Sequence, residues 1–292
     1  MRSRWVSLLI SGDGLAELHV HLEGTVGYAT AVALASGHGL PPPPPYRYST
    51  LDGFLEIYRR VAESMRTAAD FERVIREHAE VMAAQDIRYA EISINPSLHP
   101  ENDWLEGVLS ARRTLDVEIG WLIELTREGS IEANARAIDI ALSLEGVVGV
   151  GLVGDESTSA APLAPLIDRA HARGLKFMPH AGQAGSAEVV REALSIGADR
   201  LAHGVASTSD PDLLRELAER GICLCMCPSS NARIGLSPDF RKLADAGIPL
   251  TVNSDDPAMV GTTLVSELDL AESQLGLRRE DLVAAAWRHR FA

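Results

Sequence analysis

The chain has 292 residues, of which 46% are hydrophobic, 23% charged and only 5% aromatic. This balance is typical of a globular protein with a packed core and excludes collagen-like, fibrous and disordered classes. The 27 Lys and Arg residues stand against 41 Asp and Glu residues, which leaves a formal net charge of −14. Nucleic acids and anionic membranes are therefore poor partners, because both are bound through basic surfaces. No apolar run reaches the about 18 residues of a membrane-spanning helix, and we expect a cytoplasmic protein.

Short apolar runs alternate with helical periodicity along the whole chain. The predicted strands are, in chain order, Leu15–Leu22, Ile87–Asn95, Val117–Leu125, Val147–Val153, Leu175–His180, Asp199–His203, Ile222–Met226 and Pro249–Asn253. The predicted helices are residues 54–65 and 71–82, then Glu132–Leu144, Pro162–Arg173, Ala187–Ile196, Pro211–Arg220, Pro238–Ala246 and Leu264–Leu275. Strands that are apolar on both faces are typical of a covered parallel sheet. The alternation predicts a single (β/α)8 TIM-type barrel domain over residues 1–292, with an open doubly wound sheet as the alternative.

Two segments outside this pattern have simple interpretations. Residues 2–10 faintly resemble a signal peptide, but their apolar run is short and no small-x-small cleavage site follows, so we expect a cytoplasmic N-terminus. Pro41–Pro45 is a run of five prolines, which can neither continue a helix nor donate to a sheet. It predicts a stiff surface connector, and an SH3-type ligand is the alternative.

Three cysteines, Cys223, Cys225 and Cys227, lie within five residues and have no partner cysteine elsewhere in the sequence. A disulfide framework is excluded, which suits a reducing compartment. The spacing also lacks the C-x₂₋₄-C pattern of structural zinc sites. We interpret these residues as part of a buried strand.

Imidazoles and carboxylates follow four of the predicted strands where those strands end. They are His19 and His21 at the end of the first, His180 at the end of the fifth, His203 at the end of the sixth, and Asp255 and Asp256 just after the eighth. Each piece alone is weak, but all strand ends of a barrel meet at one rim, where TIM-barrel active sites lie. Three imidazoles and a carboxylate suit a borderline divalent metal such as zinc. The remaining groups would then act on a water that the metal activates.

The other histidines lie in helices, in loops or near the end of the chain, and we assign them to structure or solvent contact. They are His38, His78, His99, His171 and His289.

At this point the motifs resemble the adenosine deaminase family of metal-dependent amidohydrolases. The matching segments are residues 17–25 (Glu-Leu-His-Val-His-Leu-Glu-Gly-Thr), 154–156 (Gly-Asp-Glu), 180–182 (His-Ala-Gly), 203–204 (His-Gly), 227–231 (Cys-Pro-Ser-Ser-Asn) and 254–257 (Ser-Asp-Asp-Pro). Their order and spacing cover nearly the whole chain. Residues 23–25 and 228–231 look closest to the bacterial adenine and aminofutalosine deaminase branch.

The resemblance implies a barrel that holds one zinc-like metal ion. It assigns the metal to four ligands: His19, His21, His180 and Asp255. It implies that His203 orients or deprotonates the attacking water and that Asp256 hydrogen-bonds the resulting hydroxide. Glu23 would contact polar groups of the substrate beyond the reacting ring, and the backbone of Gly154 would lie close to the base. The different zinc site of cytidine deaminases, with its His-x-Glu and Pro-Cys-x-x-Cys signature, is absent from this sequence.

One departure from the family pattern affects the chemistry directly. The usual motif is His-Ala-Gly-Glu, and here it reads His180-Ala-Gly-Gln183. In the family this glutamate protonates the purine ring, whereas a carboxamide can only donate a hydrogen bond. General acid catalysis contributes about 10²–10⁴-fold, so we expect ordinary adenosine deamination to be poor. Gln183 stays a candidate both for catalysis and for substrate binding.

Three functions are compatible with Gln183. The first is a hydrolase for a C–N bond in a small, nitrogen-rich heterocycle or nucleoside-like molecule that needs no acid at this position. The second is an aminopurine deaminase of the adenosine, adenine or aminofutalosine type with a different proton donor. The third is an inactive family member that acts as a binding protein, and the intact ligand set argues against it.

Two milder departures remain. Many family members carry Asp where this chain has Gly151. The sequence also stops short of the family's usual C-terminal helices, so we expect part of the barrel's closing layer to be missing or to come from another subunit. This makes a homodimer a possible assembly.

Overall fold

In a computed structural model, the chain is described over residues 14–99, 103–112 and 115–291. The predicted signal-like segment at residues 2–10 lies outside these ranges. The strands are β1 Leu15–His21, β2 Ile87–Ile94, β3 Glu118–Thr126, β4 Val147–Val153, β5 Lys176–Ala181, β6 Arg200–His203, β7 Cys223–Met226 and β8 Leu250–Val252. They are parallel neighbours in the order β1 to β8.

The sheet curls until its two edge strands meet. Val20 on β1 forms a bridge with Asp255, just past β8. The His21 amide donates to the Asp255 carbonyl at 2.9 Å, and the Asp255 amide donates to the His19 carbonyl at 3.2 Å. The predicted (β/α)8 barrel is therefore confirmed, and the open sheet is excluded.

Helices surround the barrel between successive strands. They are α1 Tyr28–Gly37, α2 Leu51–Ala62, α3 Ala68–Ala84, α4 Trp104–Arg112, α5 Ile131–Ser143, α6 Ala164–His171, α7 Ala187–Ser195, α8 Pro211–Arg220, α9 Pro228–Arg233, α10 Phe240–Asp245, α11 Pro257–Val260, α12 Leu264–Ser273 and α13 Arg279–His289. Within the described ranges, no helix is both long and apolar enough to cross a membrane.

Local sequence signals explain most helix ends. Pro211 opens α8, the Asp210 side chain accepts the amides of the first turn, and Gly221 ends the helix in a left-handed conformation. Two predicted starts were wrong. The segment at Pro162 first forms a 3₁₀ turn before α6 begins, and Asp239 after Pro238 caps α10, so that this helix starts only at Phe240.

The junction between β8 and β1 is covered by the chain's own α13, which contacts both strands. We expected this layer to be incomplete or supplied by another subunit, and for this junction that expectation was wrong. The amphipathic pattern of Arg279–His289 is weak, which is why the sequence did not predict the helix.

A charged group lies inside the barrel towards the amino-terminal ends of the strands, and we call it the lower cluster. The guanidinium of Arg200, 1% exposed, pairs with Glu91 and donates to the carbonyls of His289 at 2.7 Å and Leu18 at 3.2 Å. The ring of Phe291 lies 3.9 Å from the guanidinium carbon, and the Phe291 amide donates to Glu91 at 2.6 Å. Every charge in this cluster thus has partners.

Candidate metal centre and active site

Four side chains from three parts of the sequence meet at the carboxyl rim of the barrel. They are His19 and His21 on β1, His180 on β5 and Asp255 after β8, and their ligand atoms all lie within 4.8 Å of one another. His21 Nε2 is 3.3 Å from His19 Nε2 and 3.1 Å from His180 Nε2. Asp255 Oδ1 is 3.2 Å from His19 Nε2 and 3.4 Å from His21 Nε2. Three ring nitrogens and one carboxylate oxygen therefore face a common point.

The other ring nitrogens of this set show that the site fits a metal. His180 Nδ1 lies 3.1 Å from the Leu152 carbonyl, and His21 Nδ1 lies 2.8 Å from Ser93 Oγ. When Nδ1 donates outward, Nε2 is left with a free lone pair, as in metal-binding histidines. Three imidazoles and a carboxylate are a ligand set that suits zinc and related divalent ions.

The electrostatics of the site follow from its burial. Burial opposes ionisation of Asp255, but His19 and His21 outweigh it and hold the pKa of this carboxyl well below its ordinary value. Burial lowers the pKa of His180 well below the ordinary value, and the neighbouring imidazoles add to that effect. Asp255 is thus a carboxylate and His180 a neutral imidazole, as metal coordination requires. Against the effect of burial, the hydrogen bond with Asp255 and the charges of the nearby carboxylates raise the pKa of His21 to about 10, so a metal would displace a proton from this ring.

His203 and Asp256 lie beside the four ligands, and with them form what we call the upper cluster. His203 Nε2 is 3.8 Å from Asp255 Oδ2. Burial lowers the pKa of His203 to about 3, so the imidazole is neutral and able to accept a proton. Burial, followed by the charge of Asp255, raises the pKa of Asp256 well above its ordinary value. Neither His203 Nδ1 nor Asp256 Oδ1 has a hydrogen-bond partner among the described residues.

The backbone at this rim is strained. His203 has φ +63° and Asp255 φ +64°, in the left-handed region that side chains other than glycine rarely adopt. Such conformations cost about 1–3 kcal/mol each and concentrate at functional sites. Gly24 lies against Asp256, and a Cβ at Gly24 would overlap the Asp256 carboxylate. This close approach explains why a glycine follows Glu23.

Gln183 lies in the loop after β5, and a neighbouring acid holds that loop in place. The Glu156 carboxylate accepts the amides of Gly182 at 2.7 Å, Gln183 at 3.0 Å and Gly185 at 2.8 Å. The Gln183 side chain donates from Nε2 to Asn231 Oδ1 at 3.2 Å. Two carboxamides therefore face each other where the resemblance leads one to expect an acid.

Glu23 is fully buried, and protein groups occupy both of its oxygens. Oε1 accepts from Asn95 N at 3.3 Å and lies 2.9 Å from His99 Nε2. Oε2 accepts from the Tyr58 hydroxyl at 3.0 Å. The structural role predicted for His99 agrees with this contact, while the substrate contact predicted for Glu23 stays a prediction.

Gly154 directly follows β4 and has φ +109°, and the Glu128 carboxylate lies directly against it. Cys227 is buried with Sγ 3.6 Å from His19 Nδ1. It follows β7 rather than belonging to it, and burial raises the pKa of its thiol well above the ordinary value. Cys227 is therefore a neutral thiol that packs against the site.

Sequence reasoning missed two carboxylates near the site, Glu124 and Glu156. Glu124 could have been found, because it is a charged residue in the middle of the apolar run Trp121-Leu-Ile-Glu-Leu125. Glu156 was part of a quoted motif, but its loop-holding role depends on contacts with residues about 26–29 positions later. The contacts that give Glu124 and Glu156 their roles are visible only in the folded structure.

Comparisons with known proteins identify the family of this chain. The family model described as adenosine deaminase matches residues 14–288. An aminodeoxyfutalosine deaminase of Streptomyces coelicolor is 35% identical, over 95% of this chain and 79% of that protein. An adenine deaminase of Chlorobium phaeobacteroides is 31% identical, over 95% of this chain and 90% of that protein.

Solved structures show the same fold. The crystal structure of adenine deaminase from Arthrobacter aurescens superposes with a TM-score of 0.89 at 26% identity, covering 96% of this chain and 94% of that one. An amidohydrolase from Burkholderia ambifaria with bound Zn superposes with a TM-score of 0.85 at 23% identity, covering 96% and 86%. The chain belongs to the adenosine deaminase family, and it is a metal-dependent hydrolase that acts on C–N bonds of a small molecule.

Proposed function

We propose that the protein hydrolyses an exocyclic C–N bond of a purine-like ring and releases ammonia, with zinc as its metal. His19, His21, His180 and Asp255 would hold the zinc ion. The observation that carries the proposal is that these four ligand atoms lie within 4.8 Å of one another, beside a neutral imidazole and a second carboxyl group. The deaminases of adenine and aminodeoxyfutalosine among the relatives support a purine-like substrate.

A divalent metal in this site would lower the pKa of a coordinated water and so supply hydroxide at neutral pH. In our proposal His203, a buried imidazole that is neutral at pH 7, accepts the proton of the attacking water. Asp256 positions the same water through its unpartnered oxygen. Addition of water to the ring carbon, followed by transfer of a proton to the amine, breaks the C–N bond and leaves a ring carbonyl and ammonia.

Gln183 restricts which substrates the proposed reaction can use. Its carboxamide pairs with Asn231 and has no acidic proton to transfer. In our proposal Gln183 holds the ring by hydrogen bonding and does not protonate it. The substrate is then a ring whose nitrogen already carries a hydrogen or receives its proton from another donor. Glu23 is proposed to contact polar groups of the substrate beyond the reacting ring, and the backbone of Gly154 is proposed to lie close to the base.

The test is ammonia release by zinc-loaded protein, wild type beside Gln183→Glu, over adenine, adenosine, aminodeoxyfutalosine, simple amides and amidines. Release from an aminopurine by the wild type supports the proposal. Release by Gln183→Glu alone shows that the site is built for deamination but that the natural substrate is another ring. If neither protein releases ammonia although both bind zinc, a binding role replaces the proposed one.

Three expectations from the sequence stay predictions: the single domain over residues 1–292, the cytoplasmic location and the homodimer. The dimer is tested by light scattering on the purified chain. A mass of one chain at micromolar concentration would contradict it.

A further inference from the structure

Strand β4 contributes no side chain to this part of the barrel interior, and its neighbour β3 fills the space. Gly149 and Gly151 are in register with Leu122 and Glu124 of β3. A Cβ at Gly149 would overlap the Lys176 carbonyl of β5 and crowd Leu122, and one at Gly151 would overlap the Glu124 carboxylate. The two glycines therefore make room for the larger side chains of the adjacent strand.

The position of Glu124 is unusual for a charged group. It is 2% exposed, and neither of its carboxylate oxygens accepts a hydrogen bond of regular geometry among the described residues. Burial raises the pKa of this carboxyl to about 7, and the charge of His21 and the nearby Ser93 hydroxyl offset that effect only in part. Burying a carboxylate without partners is costly unless it is compensated by charge or hydrogen bonds. Glu124 Oε1 lies 3.8 Å from His21 Nδ1, the ring nitrogen that faces away from the proposed metal. The N–H group of that imidazole offsets part of the free-energy cost of burying the carboxylate.

We propose that Glu124 is a positioning residue for the metal centre: together with Ser93, it holds the proton of His21 on Nδ1 and keeps Nε2 free for the metal. Ser93 Oγ, 2.8 Å from Nδ1, is the direct hydrogen-bond partner, and Glu124 adds a negative charge behind it. A carboxylate in this position fixes the tautomer and raises the basicity of the ligand. Gly151 is part of the same device, because any side chain there would displace the carboxylate.

This inference rests on the metal site proposed above, and it is tested by zinc affinity. The full-length protein is stripped with a chelator, and its zinc dissociation constant is measured by competition with a chromophoric chelator. Loss of a residue that orients a metal-binding histidine typically weakens metal affinity about 10–100-fold. We expect this loss for Glu124→Ala and for Glu124→Gln, which keeps the shape and loses the charge. Glu118→Gln, at the exposed start of the same strand, is the matched control and should bind zinc like the wild type.

A second pair of variants separates positioning from packing. Gly151→Asp alone should collide with Glu124 and weaken zinc binding. In Glu124→Ala/Gly151→Asp the space is free, so the new carboxylate should restore affinity to within a few-fold of wild type. The visible spectrum of the Co²⁺-loaded protein should change in Glu124→Ala and return in the double variant.

The outcomes distinguish this inference from the proposed function. If the wild type does not bind zinc, the proposed metal site fails first. If the wild type binds zinc and Glu124→Ala binds it equally well, the positioning role is overturned, and a raised KM in that variant would make Glu124 a substrate contact. If the metal-free Glu124→Ala is less stable than metal-free wild type and the double variant does not recover affinity, the residue is structural and the inference is likewise overturned.

Discussion

Two buried polar clusters share the interior of this barrel and differ in how fully their hydrogen bonds are satisfied. In the lower cluster, Arg200 contacts a carboxylate, two carbonyls and an aromatic ring. In the upper cluster, His203 and Asp256 each keep a polar atom without a partner among the described residues. Strained backbone also occurs at the upper cluster, at His203 and Asp255.

The difference supports a structural role for the lower cluster and the functional role that we propose for the upper cluster. Buried polar groups in folded proteins are nearly always paired, and an exception calls for an explanation. The lower cluster needs nothing from outside the chain. In the upper cluster, a bound metal ion and substrate would supply the missing partners under our proposal.

The largest expected effect is the loss of turnover in His203→Ala. Removing a general base costs about 10²–10⁴-fold in rate, while the protein should bind zinc and unfold as the wild type does. Ammonia release, metal analysis and thermal unfolding measure the three properties. Turnover that stays at the wild-type level would remove His203 from the proposed mechanism.

The opposite pattern is expected at the lower cluster. Arg200→Met leaves Glu91 buried without its cation, which typically costs about 3–5 kcal/mol of unfolding free energy. Glu91→Leu/Arg200→Met removes both charges and should recover most of that stability. Chemical denaturation measures both, and turnover per folded molecule should be unchanged. A single variant as stable as wild type would contradict the structural role.

Metal removal sharpens the comparison further. Zinc at about 100 times its dissociation constant should stabilise the wild type by roughly 2.7 kcal/mol, because it binds the folded state. Nearly the same increment is expected for Arg200→Met, because Arg200 acts on the upper cluster only through its charge near His19 and the two effects should largely add. Unfolding with and without chelator measures the two increments. Unequal increments would show that the clusters are coupled.

The smallest effect concerns backbone strain at the upper cluster. At φ +64°, a residue with a Cβ is disfavoured relative to glycine by roughly 1–2 kcal/mol. Metal-free Asp255→Gly should therefore be more stable than metal-free Asp255→Ala by about that amount. Denaturation of the two variants, which both lack the carboxylate, isolates the strain. Equal stability would mean that the rim relaxes around the alanine.

The parts of the fold and the site that the sequence predicts are those that depend on local patterns. Apolar runs of strand length predict the barrel, and a barrel alone explains why His19, His180 and Asp255 approach each other. Helix α1 was not predicted, because its sequence Tyr-Ala-Thr-Ala-Val-Ala-Leu-Ala-Ser-Gly has almost no polar face.

The rest depends on register between distant segments. Glu91 and Arg200 are 109 residues apart, and nothing local marks them as a pair. The roles of Glu124 and Gly151 appear only when β3 and β4 are aligned. The saturation of Glu23 by Tyr58 and His99 likewise needs the folded loops.

The lower cluster also constrains the order of folding during synthesis. The carbonyl that receives the Arg200 guanidinium belongs to His289, 89 residues later, and the Phe291 amide that caps Glu91 is 200 residues beyond that carboxylate. Until residues 289–291 have left the ribosome exit tunnel, Arg200 lacks the His289 carbonyl and Glu91 lacks the Phe291 amide. Final closure of the barrel interior therefore waits until residues 289–291 have been synthesised and released from the ribosome.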